Sequence, residues 1–142
     1  MRSLLDVNVL IALLDADHIA HRTALAWFGQ NASDGWASCP ITQNGCVRIM
    51  SHPGYPNAHS VSEIVERLRS ATRDPSHAFW ADNESILDEE TIDATRVHGP
   101  RQITDVYLLA LAVANRGRLV TFDTSIAIEA VKGATATHLL TL

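Results

Sequence analysis

Three aspartates stand where apolar segments of this chain end or begin, and carboxylates in such places can bind metal ions. Asp6 follows a short apolar run, Asp105 opens a strongly apolar stretch, and Asp123 follows the apolar run of residues 118–122. A carboxylate next to buried residues is destabilising unless a positive group or hydrogen-bond donors compensate it. Mg²⁺ and Mn²⁺ prefer such hard oxygen ligands. The three aspartates therefore predict a divalent-metal site where chain segments converge.

Each of these aspartates also has a purely structural explanation when it is considered alone. Asp105 could cap a helix, Asp123 could cap a short helix that starts at Ile126, and Asp6 could form an Asx turn with nearby amides. For a single residue this explanation is as good as a metal site. For all three together it requires that acids gather at one edge by coincidence, so we favour the shared site.

The elements that must position these acids follow from the alternation of apolar runs and helix-period stretches along the chain. The sequence predicts strands at residues 3–7, 35–38, 78–80, 118–122 and 135–140, and helices at 18–28, 41–50, 60–72, 88–97, 105–115 and 126–131. Short apolar strands separated by helices favour a parallel sheet covered on both faces, in which ligands bind beyond the carboxyl ends of the strands. Asp6 and Asp123 fall at that edge.

Local signals set the predicted helix ends. Pro40 suits the first turn of a helix because it has no amide hydrogen to donate. Ser60 and Glu63 form a capping-box pattern. Thr104 is predicted as the N-cap of the apolar helix that begins at Asp105, and Gly117 as the residue that stops it.

Length, charge and composition limit the function classes. A chain of 142 residues with 46% hydrophobic content is predicted to form one domain over residues 1–142 with a real core. The net charge of −5 argues against a protein that covers nucleic acid electrostatically, although it leaves nucleic-acid chemistry open. No stretch resembles a membrane span, so we expect a cytoplasmic protein without membrane contact. Cys39 and Cys46 match no zinc spacing and are predicted to be free, buried thiols.

Several other residues carry weaker functional signals. His18 and His21 are spaced to chelate a metal, but histidines exposed at a surface are the simpler explanation. Trp80 lies near Asp82 in a loop-like stretch and could stack on an unpaired base, although large aromatics in apolar segments usually belong to the core. Among the arginines, Arg48 is the preferred contact for RNA phosphate or for a partner's carboxylate, because it shares a predicted helix with Gln43.

Four segments in order resemble the successive motifs of PIN-domain ribonucleases. They are residues 4–10 (LLDVNVL), 41–49 (ITQNGCVRI), 104–110 (TDVYLLA) and 119–123 (LVTFD). The resemblance covers nearly the whole chain, and four motifs in order are far more specific than any one of them. Their spacing looks most like that of the VapC-type toxins of bacterial toxin–antitoxin pairs.

The resemblance implies a three-layer α/β/α sandwich with a five-stranded parallel sheet and an acidic pocket that binds Mg²⁺ or Mn²⁺. It carries Asp6, Asp105 and Asp123 over as metal-site acids, with Asn8, Thr121 and Ser125 as their hydrogen-bond partners. It further implies a type II toxin that hydrolyses RNA phosphodiester bonds through a metal-activated water. The partners implied are a cognate antitoxin, an RNA substrate and a second copy in a homodimer.

The sequence departs from the family pattern at Gln43, where many members carry Glu in the helix that borders the pocket. Gln keeps an oxygen ligand but removes a negative charge and the ability to accept a proton. We therefore count Gln43 among the catalytic candidates and expect a working nuclease with a high metal requirement. On this hypothesis, Gln43→Glu lowers the Mn²⁺ concentration needed for half-activity.

Two alternative functions remain open at this point. The first is a degenerate PIN domain that binds RNA or protein without cleaving it, an alternative motivated by Gln43 and weakened by the three intact aspartates. The second is a phospho-acceptor receiver domain, which would need an acidic pair after the first strand and a lysine at the end of the last strand. Here Val7 follows Asp6 and the only lysine, Lys132, precedes the last predicted strand, so this alternative has little support.

Overall fold

A five-stranded, all-parallel sheet organises this computed structural model, which describes residues 1–142. The strands are β1 (Ser3–Leu5), β2 (Trp36–Ser38), β3 (His77–Phe79), β4 (Arg118–Thr121) and β5 (Leu139–Thr141), and the helices are α1 (Val7–Leu14), α2 (His21–Asn31), α3 (Pro40–Met50), α4 (Val61–Thr72) and α5 (Ile103–Ala114). The strand order is β3-β2-β1-β4-β5, so β1 is central. Ser3 is in register with Trp36 of β2 and with Arg118 of β4.

Helices cover both faces of the sheet, which confirms the predicted α/β/α sandwich. Side chains alternate across a strand, so neighbouring residues of β1 and β4 enter opposite cores. Leu4 and Leu119 pack with α5 in one core, whereas Leu5 and Val120 pack with α1, α3 and α4 in the other. Burial on both faces explains why neighbouring residues of these strands, Leu4 and Leu5 in β1 and Leu119 and Val120 in β4, are all apolar.

Two helix starts form as their sequences predict. Pro40 is the first residue of α3, where the missing amide hydrogen costs nothing. Ser60 precedes α4, and its hydroxyl accepts a hydrogen bond from the Glu63 amide at 3.3 Å. The Glu63 carboxylate accepts one from the Ser60 amide at 2.8 Å, which completes the capping box.

The helix predicted at residues 88–97 is wrong. The segment forms turns, an isolated bridge between Ile92 and Val131, and a single 3-10 turn at Ala94–Arg96. Two amides that a helix would use internally are bonded elsewhere. The amide of Asp93 donates to the Ala130 carbonyl at 2.8 Å, and that of Thr95 donates to the Asp93 side chain at 3.0 Å.

Other boundaries also differ from the prediction. The first predicted strand ends at Leu5, α2 begins at His21, and β5 begins only at Leu139, after a 3-10 turn at Ala136–His138. The helix predicted at residues 126–131 is reduced to the 3-10 turn Ile128–Ala130.

The ends of α5 are set by residues other than the predicted ones. Thr104 is not the N-cap, because α5 begins at Ile103, two residues before the predicted start, and Gln102 precedes it. At the other end the helix stops at Ala114, and Arg116 adopts the left-handed φ of 55°. Gly117 is needed for close packing instead: a Cβ there would lie 2.5 Å from the Trp80 ring.

Two remaining expectations concern cysteines and membranes. Cys39 and Cys46 are both free and buried, as predicted. No helix of the structure has the length and apolar character needed to cross a bilayer.

Candidate active site

A cavity of about 660 Å³ lies at the carboxyl ends of the central strands, and all three predicted aspartates line it. Asp6 directly follows β1, Asp123 lies two residues beyond β4, and Asp105 is in the first turn of α5. Because β1 and β4 are neighbours in a parallel sheet, their carboxyl ends bring Asp6 and Asp123 to one edge. The fold thus brings together Asp6 and Asp123, which are 117 residues apart in the sequence.

Asp6 is the most buried of the three acids, with 6% of its surface exposed. It is the N-cap of α1, and its Oδ1 accepts a hydrogen bond from the Val7 amide at 2.7 Å. Its Oδ2 accepts one from the Thr121 hydroxyl at 2.6 Å. The two bonds fix the orientation of the carboxylate at the floor of the cavity.

Thr121 and Asn8 link the ends of β1 and β4. The Thr121 hydroxyl oxygen accepts hydrogen bonds from the Asp123 amide at 3.0 Å and from the Asn8 side-chain amide at 3.2 Å. The Asn8 carbonyl oxygen in turn accepts one from the Phe122 amide at 3.3 Å. Asn8 and Thr121 therefore lie where the sequence comparison expects partners of the acids.

Ser125 holds the third carboxylate. Its amide and its hydroxyl both donate to Oδ1 of Asp123, at 2.7 and 2.6 Å. These bonds stabilise the ionised form and lower the pKa of Asp123. The carboxylate is thus charged at neutral pH and anchored to the loop that follows β4.

The electrostatics of the cavity are dominated by the mutual repulsion of acids that lie close together. Burial, and then repulsion by Asp6 and Asp123, raises the pKa of Asp105 to about 6. Burial also raises the pKa of Asp6, to which the charge of Asp123 adds, while the Thr121 and Val7 bonds oppose the shift. Asp105 and Asp123 are close enough to share a proton. A cation between these groups would replace that proton.

The donor set fits a hard divalent cation such as Mg²⁺ or Mn²⁺. All three candidate ligands are carboxylates, and their mutual repulsion is the kind of conflict that a cation relieves. They do not close around one point as a complete three-residue metal cluster. An incomplete carboxylate shell suits Mg²⁺, which usually keeps several water ligands.

The structure does not bring Gln43 into this cavity. Gln43 lines a separate depression between α3 and α4, and its side-chain amide donates to the Ser38 hydroxyl at 2.9 Å. Oγ of Ser38 lies 2.8 Å from Nε2 of His77 on the neighbouring strand. The side chain of Gln43 is thereby directed to the β2–β3 side of the sheet edge. Its neighbour Asn44 borders both the depression and the acidic cavity, so Asn44 and Arg48 are the polar α3 residues that line the cavity with the acids.

Sequence reasoning missed Asn44 and undervalued His18. Asn44 and Arg48 are one helical turn apart on α3, and both line the acidic cavity, so the i, i+4 spacing was the available signal. His18 also lines the cavity, whereas Trp80 is buried and does not. Arg48, the preferred arginine, is therefore joined by an amide and an imidazole.

Comparisons with known proteins agree with this geometry. The sequence profile of the PIN domain family matches residues 3–132. Ribonuclease VapC44 of Mycobacterium tuberculosis (strain CDC 1551 / Oshkosh) is 57% identical over 142 residues, 100% of both chains. Ribonuclease VapC39 of the same strain is 41% identical over 134 residues, 94% of this chain and 96% of the relative. Ribonuclease VapC38 of strain ATCC 25618 / H37Rv is 40% identical over 125 residues, which is 87% of this chain and 86% of the relative.

The parallel sheet and the carboxylate cavity at its edge define this protein as a small α/β domain built around an acidic site. With the family profile spanning most of its length and a relative 57% identical from end to end, the chain belongs to the PIN domain family. The resemblance carried by the four sequence motifs, including its VapC-type character, is confirmed.

Proposed function

We propose that this protein is a Mg²⁺- or Mn²⁺-dependent endoribonuclease and the toxin of a type II toxin–antitoxin pair. One observation carries the proposal: Asp6, Asp105 and Asp123 line a single cavity in a chain that is 57% identical over its full length to a VapC ribonuclease. The receiver-domain alternative has no counterpart in these similarities.

Each residue of the cavity has a role in this proposal. Asp6, Asp105 and Asp123 would hold the metal ion. The metal would lower the pKa of a bound water and offset the negative charge on the phosphoryl oxygens. Thr121 and Asn8 keep the Asp6 carboxylate directed into the cavity. The pKa of Asp105, raised to about 6 by burial and by the other two acids, means that metal binding near neutral pH would compete with only a weakly held proton. Ser125 orients Asp123.

The toxin role adds an antitoxin partner. The early helices support it, because an apolar depression of about 200 Å³ lies among α1, α2, α4 and the sheet, and every residue that lines it is hydrophobic. Leu25, on its rim, is 51% exposed. A segment of an antitoxin could bury this surface, and we also propose a homodimer that works in the cytoplasm.

The first test is cleavage of a structured-RNA pool by antitoxin-free protein across Mg²⁺ and Mn²⁺ titrations, with EDTA as the metal-free control. We expect discrete metal-dependent cuts, and losses of at least about 100-fold in Asp6→Asn, Asp105→Asn and Asp123→Asn, because each removes a candidate ligand. Asp34→Asn is the matched control, since Asp34 is exposed and lines none of these cavities.

Failure would have a defined meaning. If folded protein cuts no RNA of the pool at high Mn²⁺, the nuclease proposal is wrong and the non-cleaving PIN domain takes its place. If cuts persist in all three aspartate variants, the activity belongs to a contaminant.

A further inference from the structure

A second depression adjoins the acidic cavity on its α3 side. Its volume is about 350 Å³, and it shares Arg48, Ile49 and Tyr55 with the acidic cavity. Beyond this shared wall it is lined by His52, Gly54 and Pro56 of the turn that follows α3. The two spaces therefore lie next to each other, separated by the side chains of Arg48, Ile49 and Tyr55.

Arg48 stands at the junction of the two spaces and is electrostatically unpaired. It is exposed in the last turn of α3 and forms no ion pair and no side-chain hydrogen bond. It is also the only arginine or lysine that lines the acidic cavity. A guanidinium that is free to bind, next to a site for one phosphodiester, is placed to contact the neighbouring phosphate of the same strand.

Two histidines that line these spaces are held in the same way. Nδ1 of His18 accepts a hydrogen bond from the Ala20 amide at 3.1 Å, and Nδ1 of His52 accepts one from the Gly54 amide at 2.9 Å. In both rings the proton is then on Nε2, which has no protein partner and can donate to a ligand. One ring lines the acidic cavity and the other lines the second depression.

The second depression also has apolar surface for a flat ring. Ile49 is 39% exposed, and Pro56 is exposed beside it. The Tyr55 ring is fixed, because its hydroxyl donates to the Asp15 carboxylate at the end of α1. Rigid aromatic and apolar surface next to a cation is typical of sites that bind unpaired bases.

We propose that an RNA single strand leaves the acidic cavity across Arg48 and places its next unpaired base in the depression formed by Ile49, His52, Tyr55 and Pro56. The inference rests on the proposed ribonuclease function and adds where on this chain the strand next to the cut is bound, since a base held in a duplex is not available to enter the depression. Arg48 is a substrate-binding residue in this account, and His52 contributes to base binding.

The experiment measures binding separately from cleavage. A fluorescein-labelled pool of random single-stranded RNA decamers is titrated in EDTA against the Asp105→Asn protein, which lowers the repulsion of phosphate by the acids. Adding Arg48→Gln should weaken binding about five- to tenfold and reduce the slope of log K against log salt by about 0.7, the value for one lost phosphate contact on a single strand. Adding His52→Asn, which keeps an acceptor for the Gly54 amide, should weaken binding at least about threefold without changing the slope.

Arg73→Gln is the matched control, because Arg73 is exposed at the end of α4 and lines neither space. The loss of affinity caused by Arg73→Gln should be at least about three times smaller than the loss caused by Arg48→Gln. The proposal is overturned if Arg48→Gln leaves RNA binding unchanged, or if the Asp105→Asn protein with Arg48 intact binds no RNA. The depression would then be a site for a protein segment. Because cleavage is scored in the separate metal titration, a protein that binds through Arg48 but never cuts would refute the nuclease and not the RNA-binding proposal.

Discussion

Among single residues, the three carboxylates of the acidic cavity differ in how far hydrogen bonds stabilise their negative charge. Asp123 is stabilised as an anion by Ser125, Asp6 is buried but receives two hydrogen bonds, and Asp105 receives none. Burial and repulsion by the other two acids raise the pKa of Asp105 to about 6. The residue with the least local support is also the one whose charge most needs a cation.

This difference predicts the pH dependence of stability. An acid whose pKa rises from 3.8 to about 6 on folding keeps its proton longer in the folded state, so stability falls as pH increases through that window and does not return above it. Asp105→Asn removes the effect. We expect the variant in EDTA to be more stable than the parent by roughly 1–2 kcal/mol at pH 7.5, and about equal to it near pH 4, by urea unfolding. A variant that is less stable at pH 7.5 would contradict the raised pKa.

The placement of the α3 side chains revises the sequence-based expectation for Gln43. Since Gln43 is bonded to Ser38 and lines another depression, we now expect Gln43→Glu to change the Mn²⁺ concentration for half-activity less than about twofold. Asn44→Asp, which adds the same charge to the acidic cavity from the next position of the helix, should lower that concentration several-fold. The two metal titrations are each other's control. A strong effect of Gln43→Glu with none from Asn44→Asp would show that the side chain at 43 turns towards the acids.

At the scale of elements, the cavity depends on how closely α3 approaches α1. Gly45 and Val7 face each other across this contact, and both line the cavity. A Cβ at position 45 would lie 2.7 Å from the nearest methyl carbon of Val7. The missing side chain therefore sets the distance between the helix that carries Asn44 and Arg48 and the strand end that carries Asp6.

Gly45→Ala should separate the two helices. We expect overpacking to lower the free energy of unfolding by about 1–3 kcal/mol and activity to fall with it. Gly29→Ala in the exposed face of α2 is the control: nothing lies within 4 Å of its Cβ position, so the better helix former should stabilise the protein by up to about 1 kcal/mol. Thermal unfolding of both variants checks the pair, and a neutral Gly45→Ala would contradict the close contact.

How far the sequence predicts these elements depends on what decides each one. The strands and the α3–α5 helices follow from apolar periodicity and from caps such as Ser60 and Pro40, because burial and backbone satisfaction are local consequences of residue type. The helix predicted at 88–97 is absent because the amides of Asp93 and Thr95 are bonded to Ala130 and to the Asp93 side chain, and the first of these contacts is long-range and cannot be predicted from composition. Gln43 and Asn44 are adjacent in sequence but about 100° apart around the helix, so only the packed orientation of α3 decides which one faces the acids.

At the scale of the whole molecule, the net charge of −5 and the acidic cavity both disfavour the approach of RNA. A divalent cation at the acids would change this balance locally. It would also join separate segments of the chain, since Asp6 precedes α1, Asp105 is in the first turn of α5 and Asp123 lies in the loop after β4. Binding of the metal should therefore stabilise the fold as well as the site.

We expect Mn²⁺ or Mg²⁺ at ten times its dissociation constant to raise the free energy of unfolding by about 1.4 kcal/mol, a shift of roughly 3–6 °C in melting temperature. The gain should be lost in Asp6→Asn and kept in Asp34→Asn. Differential scanning calorimetry without RNA measures it. An equal shift in all three proteins would mean that the ion binds elsewhere.

The pairing of β1 with β4 has a consequence for biosynthesis. Asp6 lies early in the chain, but the hydroxyl that orients it belongs to Thr121, and the Asp6 amide donates to the carbonyl of Val120 at 3.0 Å. A nascent chain on the ribosome therefore holds β1 without its catalytic geometry until β4 has emerged and inserted beside it. The acidic cavity is therefore completed only when the last quarter of the chain has been made, so a ribosome-bound chain that ends before β4 should lack it.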